Sequence, residues 1–268
     1  MGETCVPVSP QRIVVLTALD SVLVLGVKPI GAATYEMNQF RSFLTEQTEG
    51  IENIGVIGQP SLEKIVRLQP DLIMGTYPIE IYAQLSKIAP TVIFFDGDKA
   101  YSKWQNAFKA YADVLGKTQE ADRILNEYQQ RVGEFRARMG EQISKTQVSL
   151  VNFFATDVRI YFKQCIGGQV IEEAGFLRSP FQDKDEWSVE NLSLEAIPQM
   201  AGDVIFLLLG GHEPSKLDQF IKHPLWSQLE AVQTSKVYEV SSEIWISGST
   251  PVDANLILDD LFKHLIDK

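Results

Sequence analysis

"SLEKIVRLQPDLI", residues 61–73, returns as "SLEAIPQMAGDVI", residues 193–205, with six of thirteen positions identical. Each copy reads as a helix followed by a strand. Ser61 and Ser193 can cap a helix by accepting from the N–H groups of its first turn. Leu62 and Leu194 open its apolar face. Glu63 and Glu195 take the second helical position, where the helix N-terminus favours a carboxylate by about 0.3–1 kcal/mol. Asp71 and Asp203 introduce the strand. Good capping alone accounts for Ser-Leu-Glu occurring twice in an α/β protein. The other reading is that Glu63 and Glu195 stand at equivalent points of two lobes, a two-point dock for basic residues on a partner.

Outward from these segments the chain alternates strands and helices. "RIVVL", "PIGA", "DLIMG" and "TVIFF" read as short buried strands, with helical spacing in "LDSVLVLG" and "EIYAQLSKI" between them. The rhythm returns late, with "VSLVNFF", "DVIFLLL" and "KVYEV" as strands, "GGQVIEEAG" as a short helix and "VDANLILDDLFKHLI" as a closing amphipathic helix. Such alternation predicts parallel-rich sheets covered on both faces.

Between the halves lie two helices, "WQNAFKAYADVLG" and the longer "QEADRILNEYQQRVGEFRARMG". In the second, Ala121, Ile124, Leu125, Tyr128, Val132, Phe135 and Met139 fall on one stripe. Glu127 with Arg131 and Glu134 with Arg138 are i,i+4 pairs on its wet face. At 1.5 Å per residue this helix spans about 31 Å, a small domain's width. The fold class expected is α/β: two Rossmann-like lobes with parallel-rich sheets joined by one long helix. The boundaries are 1–117 for the first lobe, 118–143 for the bridging helix and 144–268 for the second lobe. A single α/β domain with a long surface helix is the alternative.

Bulk properties narrow the function. The 268 residues carry a formal net charge of −11, which argues against wrapping nucleic acid or lying on an anionic membrane. The longest apolar run, "DVIFLLLGG", falls far short of the about 20 residues that cross a bilayer. "MGETCVPVSPQRIVVL" has no basic region followed by an apolar stretch, so it reads as lacking a signal peptide. Cys5 and Cys165 are not paired by spacing and read as two unpaired thiols. The chain lacks a G-x-S-x-G elbow, a Walker loop and a G-x-G-x-x-G after a strand. Asp96 and Asp98 could act as an acid–base pair, although a solvated turn explains them more simply. His212 and His223 do not have zinc-motif spacing; His212, at a strand end, keeps a cleft role open. His264 is expected on the wet side of the last helix.

The segments "PQRIVVL", "VLGVKPIGA", "IGQPSLEKIVRLQPDLI", "LSKIAPTV", "EWSVENLSLEAIPQMAGDVIFL", "HPLWSQLEAVQTSKVYEV" and "IWISGSTPVDANLILDDL", in this order, resemble the periplasmic substrate-binding proteins of iron–siderophore ABC importers. These are the ferric hydroxamate, ferric dicitrate and cobalamin binders. The resemblance implies two lobes bridged by a long helix, a ferric siderophore in the cleft between them, and one glutamate per lobe meeting arginines of an inner-membrane permease. Glu63 and Glu195 fall on those positions. It also implies a monomeric, non-enzymatic protein of the periplasm or cell envelope with no cofactor, the iron being held by the siderophore. On this resemblance the chain start reads as a truncated or processed form of an exported protein, free or lipid-anchored.

A ferric chelate asks for aromatic walls and a few cations on loops at the carboxyl ends of strands. Tyr35, Met37 and Arg41 follow one strand and Tyr77 another. Arg159, Tyr161 and Lys163 alternate, which puts them on one face if extended; a solvated hairpin face fits the pattern equally well, and the resemblance favours the cleft. Trp187 and Trp245 are further stacking candidates, Trp245 on a loop opening onto the final helix, whereas Trp104 and Trp226 look like core. The alternatives are a haem or cobalamin binder and, from another class, a nitrogenase-like or chelatase-type metal enzyme.

Overall fold

Ile13–Val15 (β1) is three β-class apolar residues in a row, and all three are buried. A continuous apolar strand belongs in a parallel sheet covered on both faces, and β1 has parallel neighbours on both sides: Gly31–Thr34 (β2) and Leu72–Gly75 (β5). Glu52–Val56 (β3) and Gln59–Pro60 (β4) extend one flank and Thr91–Ile93 (β6) the other, giving the order β4-β3-β2-β1-β5-β6. Only the β3–β4 pair is antiparallel. Strands β3 and β4 escape an apolar-run reading because polar residues interrupt "ENIGV" and "QP" is short, with Ile54 alone among them fully buried.

A second sheet has the order β11-β10-β7-β8-β9. Its parallel part is Val148–Phe153 (β7), Val204–Leu209 (β10) and Val237–Ser241 (β11). Val158–Tyr161 (β8) and Ser188–Val189 (β9) are added antiparallel.

The computed structural model describes residues 4–35, 39–76, 79–94, 103–209 and 215–267. The chain divides into two compact units, Met1–Asn126 with Thr250–Val252 and Glu127–Ser249 with Asp253–Lys268. Val14, Leu16, Ile54, Ile65, Ile73 and Leu85 build the first core. Val151, Ile160, Phe162, Ile197, Ile205, Phe220 and Trp226 build the second. The architecture is thus mixed α/β with parallel-rich sheets and two lobes.

The long helix is Thr118–Met139, and the unit boundary falls inside it, after Asn126, rather than at its ends. Its stripe from Ala121 to Phe135 is buried. On its other face Arg123 pairs with Glu120 one turn back, while two later arginines reach beyond the helix. Arg131 donates to Asn255 and Asp259, and Arg138 to Asp267, all near or on the closing helix Pro251–Leu265. Arg138 takes Asp267 in place of the expected Glu134. On the same closing helix His264 stacks on the Tyr238 ring at 4.7 Å, so it is half-covered rather than on a wet face.

The two copies of the repeat fold differently in one respect. Leu62–Leu68 is α-helical, and the Ser61 hydroxyl accepts from the Lys64 N–H at 3.3 Å. Leu194–Met200 is a 3-10 helix in which Ser193 makes no such cap. Pro198 explains the difference: it has no N–H to give to the carbonyl four residues back, and its ring crowds that carbonyl.

The repeated aspartates share one job. Asp71 donates its N–H to the Arg12 carbonyl and accepts the Gln11 and Arg12 N–H groups on its carboxylate, at 2.7 and 2.9 Å. Asp203 donates to the Gln147 carbonyl and accepts the Gln147 N–H at 2.6 Å. Each carboxylate therefore fastens the start of β5 or β10 to the residue just before the central strand, β1 or β7.

Candidate ligand edges and docking carboxylates

At the carboxyl edge of the first sheet, the ends of β1 and β5 are tied by hydroxyls. Thr17 Oγ1 lies 2.9 Å from both the Thr76 and Tyr111 hydroxyls and accepts the Thr76 N–H at 2.7 Å. Tyr111 donates to the Thr17 carbonyl at 3.1 Å. Burial raises the Tyr111 hydroxyl far above the usual tyrosine range, so it stays a donor. No sequence signal announces this knot, since isolated threonines after strands are common.

Tyr35 follows β2 and carries the Arg41 guanidinium 5.1 Å from its ring centre. Arg41, expected to face a ligand, is instead buried. Arg41 Nη1 donates to Asp20 Oδ2 at 2.9 Å, with both side chains 1% exposed. The same oxygen accepts the Thr250 hydroxyl at 3.0 Å. A buried carboxylate must be paired, and Arg41 serves that need. The cavity beside it measures about 10 Å³, room for one water rather than a chelate. Met37, Tyr77, Asp96, Asp98 and His212 lie outside the described residues.

In the second unit, β8 runs antiparallel to β7, so its start lies at the carboxyl edge and its end at the amino edge. Asn152 pairs with Arg159 and Phe153 with Val158. Arg159 is about one-third exposed. It donates to Asp157, pairs with Glu190 at 2.8 Å and lies 4.9 Å over the Phe154 ring. The hydrogen bond to Asp157 raises the Arg159 pKa above its ordinary value. Phe154, 38% exposed, is an aromatic just past the carboxyl end of β7 that "VNFF" at a strand end could have pointed to.

The other second-unit candidates separate from Arg159. Tyr161 shares its strand face but is only 3% exposed. Its hydroxyl bonds Arg159 and Asn152, and burial pushes its pKa up. Lys163 lies four residues on, about 13 Å at strand rise, past the end of β8. There it pairs with Asp183, and with Glu172 at 3.9 Å; the Asp183 bond raises its pKa. Trp187 is 48% exposed, but its carbonyl accepts the Phe162 N–H, which puts it at that same amino edge. One edge thus does not hold cation, aromatic and cation together, because β8 ends at Tyr161.

Trp245, expected to stack on a ligand from an open loop, is instead a core residue. It ends the short helix Ser242–Trp245 and is fully buried. Its ring lies 4.6 Å from Phe206 and its indole N–H donates to Asp260 Oδ2 at 2.8 Å. Trp104 and Trp226 are buried, as their helical setting implied.

Glu63 and Glu195 are both exposed. Ser61 N–H donates to Ile54, Lys64 Nζ reaches the Asn53 carbonyl and Arg67 pairs with Glu52, so the helix Leu62–Leu68 runs antiparallel to β3. Its first turn, with Glu63, therefore lies toward the carboxyl edge. In the other unit Leu192 N–H donates to Val158 at the carboxyl edge, while the Gln199 carbonyl accepts from Gln182, which also bonds Ser149 near the start of β7. Glu195 likewise lies toward its own sheet's carboxyl edge. Bonds from the Ser193 side chain and from its own backbone N–H hold the Glu195 carboxyl below the usual range.

Among the described residues no group of three or more His, Cys, Asp or Glu could hold a metal ion, and no helix is long and apolar enough to cross a membrane. Residues 14–244 match the family described as periplasmic binding protein. The chain belongs to that family. A probable siderophore-binding lipoprotein, YfiY of Bacillus subtilis, is 31% identical and aligns over 97% of this chain and 84% of that protein. The achromobactin-binding periplasmic protein of Dickeya dadantii is 29% identical over 94% of this chain and 85% of its own. The crystal structure of Staphylococcus aureus SirA complexed with staphyloferrin B superposes with a TM-score of 0.85. It is 28% identical, over 99% of this chain and 96% of that one.

Proposed function

We propose that the chain is the substrate-binding protein of an ABC importer, capturing a ferric siderophore and delivering it to a membrane permease for iron uptake. The observation that carries the reading is the repeated carboxylate. In each unit an exposed glutamate, Glu63 or Glu195, sits at the carboxyl-edge end of the element leading into the strand beside the central one. The siderophore-binding relatives support the choice of ligand.

Tyr35 and the Arg159–Phe154 pair offer the ligand aromatic surface and a guanidinium, with Met37 and Tyr77 contributing by their place after strands. Arg41 and Tyr161 act behind them, Arg41 by holding Asp20 in the first turn of the helix Leu19–Val24 and Tyr161 by orienting Arg159. Arg159 already faces two carboxylates, so an anionic chelate competes with Glu190 for it. Iron arrives chelated, and the protein works as a monomeric carrier in the periplasm or cell envelope without chemistry of its own.

The test is quenching of intrinsic fluorescence by a panel of ferric hydroxamate, citrate-type and catecholate siderophores, with haem and cobalamin as controls. Saturable micromolar quenching by a ferric siderophore is expected, weakened by Arg159→Ala. Binding of haem or cobalamin alone refutes the reading.

A further inference from the structure

Each docking glutamate has its charge left uncompensated by its own element, by two different means. Lys64 and Arg67 flank Glu63, and Arg67 is at the i+4 position that would pair with it. Both are turned away: Lys64 Nζ donates to the Asn53 carbonyl at 2.6 Å and Arg67 pairs with Glu52 at 3.1 Å. In the second copy the corresponding residues, Ala196 and Gln199, carry no charge.

One turn past each glutamate stands an exposed apolar residue. Val66 is 55% exposed on the same helix face as Glu63. Pro198 holds the matching place in the repeat and is exposed. Neither packs into its core, which takes the preceding residue of each copy, Ile65 or Ile197, instead. An isolated exposed valine has no meaning alone. The same apolar position beside the same unneutralised carboxylate, built on an α-helix in one unit and a 3-10 helix in the other, is a shared surface.

Resting on the permease-docking reading above, we propose that each contact is composite. The carboxylate meets a cation of the permease, and Val66 or Pro198 packs on aliphatic surface next to that cation. Charge complementarity selects the partner, because an exposed carboxylate whose neighbouring cations are diverted, as at Glu63, or absent from its element, as at Glu195, fits a basic protein surface and is repelled by an anionic bilayer. The apolar neighbour excludes water from the ion pair on docking, which strengthens it.

The experiment uses the full chain loaded with the ferric siderophore that quenches its fluorescence. It also uses a nanodisc-held siderophore importer chosen because the wild-type chain stimulates its ATPase. Val66→Ser should raise the concentration for half-maximal stimulation about five- to tenfold, and Val66→Ile should not. Siderophore affinity and melting temperature should stay unchanged in both. Wild-type stimulation by Val66→Ser, alongside weakened stimulation by Glu63→Ala and Glu195→Ala, overturns the composite contact and leaves the docking reading standing. Wild-type stimulation by both glutamate variants overturns the docking reading itself.

Discussion

Replacing Arg41 with methionine separates a structural from a ligand-binding role. The Arg41 and Asp20 side chains are 1% exposed, the Asp20 Oδ2 oxygen holds both Arg41 and Thr250, and the buried Oδ1 has no hydrogen-bond partner among the described residues. Arg41→Met leaves a carboxylate only 1% exposed with the Thr250 hydroxyl and no counter-charge. Losing one member of such a pair costs about 3–5 kcal/mol. Asp20→Asn combined with Arg41→Met removes both charges and should cost less than the arginine change alone, a coupling of about 2 kcal/mol. Urea unfolding followed by hydrogen exchange of β1 and β5 amides reads the first unit separately, which matters because a two-unit chain need not unfold in one step. A loss under about 1 kcal/mol for Arg41→Met, or strict additivity in the double variant, would refute a buried pair.

Other changes test other parts of the account. Gly133 is exposed inside the long helix, and a methyl group there would meet nothing within 4 Å, so Gly133→Ala should stabilise the chain by about 0.5–1 kcal/mol in urea titration. The Ser193 side chain is the first cause of the lowered Glu195 pKa. Ser193→Ala should therefore move the Glu195 titration midpoint upward, toward the ordinary carboxylate value, in a carbon-13 NMR pH series. In that variant the Glu195 charge is lost at higher pH as the solution is acidified. Cys5 is exposed, while Cys165 is fully buried with its thiol pushed up to about 11, so a thiol reagent at pH 8 should titrate one cysteine promptly and the second only on unfolding.

Much of the fold was legible because buried parallel strands are written as continuous apolar runs. "RIVVL", "DLIMG" and "DVIFLLL" are unmistakable for that reason, and the stripe from Ala121 to Phe135 shows its period directly. The edge strands β4 and β9 and their half-buried relative β3 were not legible, since such strands tolerate Glu, Asn, Gln and Ser. Site residues suffered from the same limit. Alternation placed Arg159 and Tyr161 on one face, but only the β7–β8 register separates Lys163 from them. Trp245 sits between turn-like residues in the sequence, and its burial depends on Phe206 and Asp260, each 15 or more positions away. Cys165 has a structural use that composition does not suggest: its sulfur accepts the Gly168 N–H at 3.2 Å and caps the helix Ile166–Ala174. Gly168 itself is forced, because a Cβ there would collide with the Phe162 carbonyl oxygen.

The aspartate fasteners have a consequence for recombination. Because Asp71 and Asp203 each grip backbone atoms rather than particular side chains, the thirteen-residue segment carries its own alignment device wherever it is placed. Exchanging the two segments within the gene should keep β5 and β10 correctly indexed against β1 and β7, while exporting the proline-bent helix to the other half. Such chimaeras would keep their sheets and differ at the surface where the glutamate is presented.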